Sequence, residues 1–543
     1  MKTELFGKSL SGPFTIPSGI VTTSVPIIER VFRSIPEVGV VTTKSIGLLP
    51  RDGNREPILS QYAPGCFVNA VGLTNPGAER SADLLAAVDV PEDRFLLTSI
   101  FAGSVQEFVS VAKILAPHSD GLELNLSCPH AEGYGMAMGQ DAALVKEITR
   151  AVKSAVDVPV IPKLTPNVAN IGEIARAAAE GGADGICAIN TVGPGYYSAH
   201  GYPILSNSNG GLSGKGILPI GLKCVQDIAE VTDLPIIGCG GISSAADVRA
   251  YRDAGASIYG VGSALTGLSS ERIEDYFRIL AEDLDSNTDT AEELIRYDVD
   301  MSFRSYKLLG RQQIADDLSI LTFDRKIDIK PGEFIFVWIP GQGEKPFSVL
   351  SDDPFSLVVI DLGYFTNRLV QLEVGTEVFV RGPYGIAVTP PDKARIMAVS
   401  GGTGLAAVYQ IARDCGNTEV FLGARSKDRL YFIDECRACS TVHVATDDGS
   451  QGHHGLVTEM LRERLEGMTP EQTAELLFYN CGPEAMVRAA VAVEKEFCTA
   501  NRIFNAIDYV TKCGVGICGS CHCPDGRRSC VDGPFLEAAD GSG

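Results

Sequence analysis

Short apolar runs alternate with amphipathic stretches from the start of the chain to about residue 298. Eight of these runs read as strands: "FTIPSGI", "GVVTTKSI", "RFLLTSIF", "GLELNLSC", "PVIPKLT", "GICAINTV", "PIIGCGGI" and "SIYGVGSAL". They are short and rich in β-branched residues, as buried strands are. Between them, segments such as "DAALVKEITRAVKSA" and "NIGEIARAAAEGGA" repeat their apolar residues at helical spacing. Strand–helix alternation implies right-handed parallel crossovers, and eight such units predict a closed (β/α)8 barrel. An open doubly wound sheet is the alternative.

In such a barrel the site lies at the C-terminal ends of the strands. There the sequence places Ser18, Gly19, Lys44, Asn125, Cys128, Lys163, Asn190, Thr191, Gly240, Gly241, Gly262 and Ser263. Packing gives a poor account of polar residues and glycines at one strand end after another.

The pattern changes near "YDVDMSFRSYKLLGRQ". From 303 to 392 it reads as short strands broken by Gly and Pro, which predicts a small antiparallel β-barrel. At 393 a strand, "RIMAVS", runs into "GGTGLAAVYQIA", a glycine turn opening a helix. A helix N-terminus so placed suits a phosphate. Further β/α units continue to 504, and a cysteine-bearing segment occupies 505–543. The fold class is α/β, with boundaries expected at 1–298, 303–392, 393–504 and 505–543.

A chain of 543 residues is too long for one core, which agrees with several domains. Its net charge of −22 argues against nucleic acid and anionic membrane as partners. No apolar run approaches the roughly 18 residues of a membrane span. The opening "MKTELFGKSLSGPF" lacks the apolar centre of a signal peptide. The expected compartment is the reducing cytoplasm, where clustered cysteines mean metal binding or redox work.

Five of the 15 cysteines fall in "CGVGICGSCHCPDGRRSC", Cys513 to Cys530. Cys513, Cys518 and Cys521 are spaced C-x4-C-x2-C, which with one more cysteine is the plant-type [2Fe–2S] pattern. Gly514, Gly516 and Gly519 let a tight loop turn its thiolates inward. Cys530 is the favoured fourth ligand. Cys523 competes, but it follows Cys521 by two residues and strains the wrap. A zinc knuckle is the other reading of the spacing. "CRAC", Cys436 to Cys439, reads as ordinary thiols of a helix.

Several motifs together carry a family resemblance. "EKPFS", "GYFTNRL", "RGPYG", "SGGTGLAA", "GARSKD", "TDDGSQGHHG", "NCGPEAM" and the cysteine run with "VDGPFL" resemble the electron-transfer subunit of NAD-linked (class 1B) dihydroorotate dehydrogenases, in the ferredoxin-reductase superfamily. That resemblance implies FAD on Lys345, Pro346, Phe347, Ser348, Gly363 and Thr366. It implies NAD(H) near Gly401, Gly402, Gly404 and the turn at Cys481. Residues 1–298 resemble the catalytic subunit through "TTKS", "NAVGLTNPG", "ELNLSCPH", "PKLTPN", "INTVG", "GGLSGKGI" and "GCGGI". This implies FMN on Ser18, Gly19, Lys44, Ser45, Asn125, Lys163, Gly214, Gly240, Gly241, Gly262 and Ser263. It implies a dihydroorotate/orotate site at Lys44, Asn69, Gly72, Leu73, Asn125, His130, Asn190 and Thr191. Catalysis is implied for Lys44 and for Cys128, the base that removes a proton from C5 while hydride leaves C6 for the flavin. The two subunits, separate in the family, look fused here, and a homodimer through the barrels is implied.

Two departures bear on the substrate. His130 stands where these enzymes commonly read S-C-P-N, and dihydropyrimidine dehydrogenases, which act on uracil and thymine, read S-C-P-H. Ile100 stands where many relatives carry an FMN-contacting Asn. NAD(P)H-dependent reduction of uracil or thymine is therefore the alternative activity. A non-enzymatic electron carrier is a third reading, against which the intact Cys128 and Lys44 argue.

Overall fold

The eight expected strands form one closed parallel barrel in a computed structural model that describes residues 3–126, 136–507 and 509–538. They are β1 (Phe14–Ile16), β2 (Val40–Thr42), β3 (Phe95–Ile100), β4 (Gly121–Asn125), β5 (Val160–Leu164), β6 (Ile186–Ala188), β7 (Ile236–Cys239) and β8 (Ile258–Gly260). Each pairs in parallel with the next, and β8 closes on β1. The doubly wound alternative is thereby excluded. A helix follows each strand. The longer of the two after β4, Ala142–Lys153, is typical: the Asp141 side chain caps the backbone N–H groups of Ala143 and Leu144, and Val145, Ile148, Thr149 and Val152 face inward. That i, i+3, i+4, i+7 stripe is what the sequence pattern displays.

Register decides what shares the barrel mouth. Asn125 pairs across with Lys163, and Lys163 with Cys187. Above the strands, segments Leu59–Ala63, Cys66–Asn69, Val192–Tyr196 and Asn209–Gly214 form a four-stranded antiparallel sheet. It brings Asn69 and Thr191 toward the same end of the barrel.

The chain divides into two compact units. One comprises residues 1–301 with 515–528, the other 302–514 with 529–543. The segment 505–543 is thus shared between them. Within the first unit, the 515–528 loop is bonded to the barrel. Val21 N–H donates to the Ile517 carbonyl (2.8 Å), Gly267 N–H to Val515 (2.8 Å) and Thr23 Oγ1 to Cys518 (3.2 Å). The buried Arg528 guanidinium donates to the carbonyls of Gly516 and Leu268. Gly519 has φ +66°, and a Cβ there would meet Thr23 Oγ1 at 2.0 Å, so this close approach requires glycine.

The second unit has two sheets. The first is antiparallel and seven-stranded, and includes Phe334–Ile339, Gly343–Ser348 and Glu377–Tyr384. Ile335, Val337 and Ile339 point into its core with Phe355, Leu357 and Val380, while Phe336 and Trp338 take the other face. The second sheet is also seven-stranded and is parallel except for its last strand, Leu536–Glu537. In it Arg395–Gly401 passes through a short turn into the helix Leu405–Cys415. Among the described residues no helix is long and apolar enough to cross a membrane.

Candidate functional site

At the C-terminal end of the barrel lies a cavity of about 220 Å³. Fifteen of the residues expected there line it: Ser18, Gly19, Lys44, Ser45, Asn69, Gly72, Leu73, Asn125, Lys163, Asn190, Thr191, Gly240, Gly241, Gly262 and Ser263. Gly214 does not; its neighbour Ser213 does. Cys128 and His130 lie outside the described residues. Ile100 is fully buried in β3 and does not line the cavity.

The polar residues are joined rather than scattered. Ser18 Oγ lies 3.1 Å from Ser45 Oγ, and Asn125 Nδ2 donates to Ser45 Oγ at 2.9 Å. Asn190 Nδ2 reaches Asn125 Oδ1 at 3.3 Å, and the Thr191 N–H donates to Asn190 Oδ1 at 2.8 Å. This chain crosses the mouth from β1 to the end of β6. Each amide is held by its neighbour, which presents fixed donors and acceptors to whatever enters.

Lys163, at β5, is buried, and its Nζ lies 3.6 Å from Glu123 Oε2 on β4. Burial alone would lower the lysine pKa, but the Glu123 carboxylate overrides it, and the net shift is upward. Lys163 is therefore held as a cation. The other oxygen, Glu123 Oε1, is buried with no hydrogen-bond partner. A cation held at the cavity wall suits an anionic ring edge.

The glycine end of the cavity suits a phosphate. Gly240 and Gly241 have φ of +128° and +78°, and a Cβ on Gly241 would meet Leu218 N at 2.9 Å. Backbone so bared can turn its N–H groups toward an anion, at the place where barrels of this kind hold phosphate, after β7 and β8. These features fit FMN. Two non-glycine residues at the mouth hold left-handed backbone: cavity-lining Leu73 (φ 58°) and Val21 (φ 52°), which bonds the 515–528 loop. Bulky residues adopt that conformation only where their surroundings over-determine it.

Several lining or supporting residues carry no sequence expectation. Ser99 Oγ extends the hydroxyl chain to Ser45 at 2.9 Å. Glu123 is a lone charge in the apolar run "GLELNLSC", and that was its available signal. Ile517, and Cys518, expected as a cluster ligand and not as part of this wall, line the cavity from a loop nearly 500 residues away in sequence, a placement no local pattern could announce. One of the expected cluster cysteines thus stands in the cavity wall.

In the second unit, Lys345, Pro346, Phe347 and Ser348 sit on Gly343–Ser348, half-buried, and pair with Phe334–Val337. Thr366 Oγ1 accepts the N–H of Gly363 at 3.1 Å and of Leu362 at 3.0 Å, which fixes the "GYFT" turn. Gly401, Gly402 and Gly404 form the strand-to-helix turn, and the Tyr431 hydroxyl holds the Gly402 carbonyl at 2.8 Å. A Cβ on Gly404 would meet the Cys481 carbonyl at 2.0 Å. Only glycine lets the "GTG" and "CGPE" turns approach so closely.

All five tail cysteines are buried: Cys513, Cys518, Cys521, Cys523 and Cys530. Cys518, Cys521 and Cys523 belong to the barrel unit, Cys513 and Cys530 to the second. Among the described residues no three His, Cys, Asp or Glu are grouped as ligands of a metal ion. Cys436 of "CRAC" is buried in the helix Ile433–Cys439, and burial pushes its thiol up to about 12, as in an ordinary core cysteine.

Comparison with known proteins adds two matches. The dihydroorotate dehydrogenase family profile matches residues 1–278, and an oxidoreductase NAD-binding domain matches 398–492. Relatives named "Dihydroorotate dehydrogenase B (NAD(+)), catalytic subunit" include one from Pyrococcus horikoshii, 45% identical over 268 residues, which are 49% of this chain and 86% of that protein. One from Methanosarcina mazei is 44% identical over 272 residues, 49% and 86% of the two chains. One from Methanocaldococcus jannaschii is 42% identical over 269 residues, 49% and 87%. These relatives correspond to the barrel unit alone, and the remaining half adds an NAD-binding oxidoreductase domain. The closed barrel, its linked amides and cation at the strand ends, and the match over half the chain agree: this chain is an oxidoreductase that belongs to the dihydroorotate dehydrogenase family.

Proposed function

We propose that this chain oxidises dihydroorotate to orotate, as a step of pyrimidine synthesis, and delivers the electrons to NAD+ within one polypeptide. The observation that carries the proposal is the barrel cavity, in which the linked Ser18–Ser45–Asn125–Asn190–Thr191 chain and Lys163 share one space with Cys518 of the cysteine loop. Bound there, FMN would supply the hydride acceptor, with a [2Fe–2S] cluster, FAD and NAD+ carrying two electrons onward.

The chain's own residues then divide the work. Asn69, Asn125, Asn190 and Thr191 would orient a ring with two amide-like edges. Lys44 would face the substrate anion, and Lys163 the ring edge that gains charge on reduction. Cys128, as thiolate, would remove the C5 proton, a role a thiol can fill where a nearby cation lowers its pKa. Lys345, Pro346, Phe347, Ser348, Gly363 and Thr366 would hold FAD, and Gly401, Gly402 and Gly404 would receive NAD(H). The cluster ligands would be Cys513, Cys518, Cys521 and Cys530; spacing and buried thiols support this set. A cytoplasmic homodimer joined through the barrels completes the reading.

The test is anaerobic titration of the flavin absorbance with dihydroorotate and, separately, dihydrouracil. Bleaching by dihydroorotate alone is expected. Bleaching by dihydrouracil alone would replace the reading with a dihydropyrimidine dehydrogenase-like activity, to which His130 already points.

A further inference from the structure

A second buried ion pair lies in the antiparallel sheet of the second unit. Arg381, on Glu377–Tyr384, and Glu344, on Gly343–Ser348, are both almost wholly buried. Arg381 Nη2 donates to Glu344 Oε1 at 2.7 Å and Nε to Oε2 at 2.9 Å. The guanidinium lies 4.0 Å from the centre of the Phe336 ring and 5.2 Å from that of Tyr384. Phe336 is on the strand between the two partners, so the pair spans that strand on the face opposite the core. The remaining nitrogen, Nη1, donates to the backbone carbonyl of Cys513 at 2.9 Å. The next residue, Gly514, packs so closely that a Cβ would meet Phe336 at 2.6 Å and Arg381 Nη1 at 3.4 Å.

Burying two charges is costly, and apolar side chains of similar volume commonly serve a fold as well. Here the pair also does something apolar residues could not. It fixes one backbone carbonyl, that of the first cysteine of the C-x4-C-x2-C run. It does so from a glutamate adjacent to Lys345, the first residue of the "KPFS" flavin motif.

We propose that Arg381 is a positioning residue for the iron–sulfur cluster: it anchors Cys513 through its carbonyl, and its charge, balanced by Glu344, sets the cluster's reduction potential. The inference rests on the reading of Cys513 as a cluster ligand. Its physics is a sign argument. Reduction adds negative charge at the cluster, so a cation held beside a ligand favours the reduced form and an anion disfavours it. Glu344 therefore offsets Arg381, and removing either partner should move the potential in the opposite direction from removing the other. A merely structural pair would not do this, because both losses would loosen the same contact in the same way.

The experiment is a redox titration of the full-length holoenzyme, followed by the EPR signal of the reduced cluster, with iron and FAD content measured on the same samples. Arg381→Met is expected to lower the potential and Glu344→Gln to raise it, with FAD retained in both. Should either single variant fold poorly, the neutral pair Arg381→Met/Glu344→Leu removes both charges together. It is expected to keep FAD but to lose iron faster than the wild type on dilution, because Cys513 has lost its anchor. Shifts of the same sign in the two single variants, unchanged potentials with the cluster present, or iron retention by the neutral pair equal to wild type would each overturn the inference. A wild-type chain with FAD but no [2Fe–2S] signal would overturn the cluster reading and the inference with it.

Discussion

Two buried ion pairs sit in the two halves of this molecule, and they are finished to different degrees. Lys163 and Glu123, in the barrel, are 3.6 Å apart, and Glu123 Oε1 has no partner. Arg381 and Glu344, in the antiparallel sheet, meet through two bonds of 2.7 and 2.9 Å, under aromatic rings. In the first pair Lys163 lines the cavity, and Glu123 behind it keeps one carboxylate oxygen without a hydrogen bond. The second is closed on itself and holds backbone. An open pair marks a place where chemistry enters, and a closed pair marks the frame that positions it.

The largest expected effect belongs to the open site. If Cys128 is the base, Cys128→Ser should keep FMN bound and slow flavin reduction by roughly 10²–10⁴-fold near neutral pH, with recovery as pH rises. Stopped-flow absorbance measures this, and a wild-type rate at neutral pH would remove Cys128 from the mechanism.

The comparison itself can be broken by removing one cation from each pair. Arg381→Met leaves a closed-in carboxylate and should destabilise the second unit by about 3–5 kcal/mol. Lys163→Met removes the cation from the cavity wall itself, so its cost should fall on FMN retention as well as on the fold. Trp338 is the chain's single tryptophan and lies in the second unit, packed on Phe303 and Phe379. Its fluorescence in urea should therefore shift for Arg381→Met and not for Lys163→Met, while gel filtration should show FMN loss only for Lys163→Met. The reverse pattern would dissolve the distinction.

A third case sharpens it, because it is a buried carboxyl with no cation paired to it among the described residues. Glu494 is fully buried, receives among the described residues only the Asn480 amide at 2.8 Å, and is pushed by burial from the ordinary 4.5 to about 8. Between those values the folded chain holds a proton that the unfolded chain has lost. Stability should thus be greatest below about pH 4.5 as far as this group decides it. It should fall as pH rises toward 8, by at most about 1.4 kcal/mol per pH unit. Glu494→Gln should flatten that slope in urea titrations at several pH values. An unchanged slope would mean the carboxyl is not buried as a neutral acid.

The smallest effect on the fold and the most local on function concerns the cysteines. Cys530→Ala should abolish the reduced-cluster EPR signal and Cys523→Ala should leave it. The opposite result would exchange their roles.

Much of this was legible in the sequence, for reasons that can be named. The barrel was readable because its strands are short apolar runs separated by amphipathic helices, with polar residues and glycines at or just beyond most of their ends, and fifteen of the expected residues line one cavity. Gly404 was readable as part of a glycine turn before a helix, but its close approach to the Cys481 carbonyl depends on tertiary packing that the turn alone does not announce. Glu123 was present as a single charge in an apolar strand, but its partner depended on the β4–β5 register, which local pattern does not encode. The docking of Val515–Arg528 against the barrel rests on bonds such as Thr23 to Cys518, between residues 495 apart. Nothing in either segment alone specifies the other.

The central claim is that one chain carries both halves of the reaction. It is tested most directly by giving the purified chain, with no second protein, dihydroorotate and NAD+ and measuring orotate and NADH together. The account predicts one NADH for each orotate, lost on removal of either flavin. Flavin bleaching by dihydroorotate without NADH formation, or NADH formation from dihydrouracil and not from dihydroorotate, would contradict it.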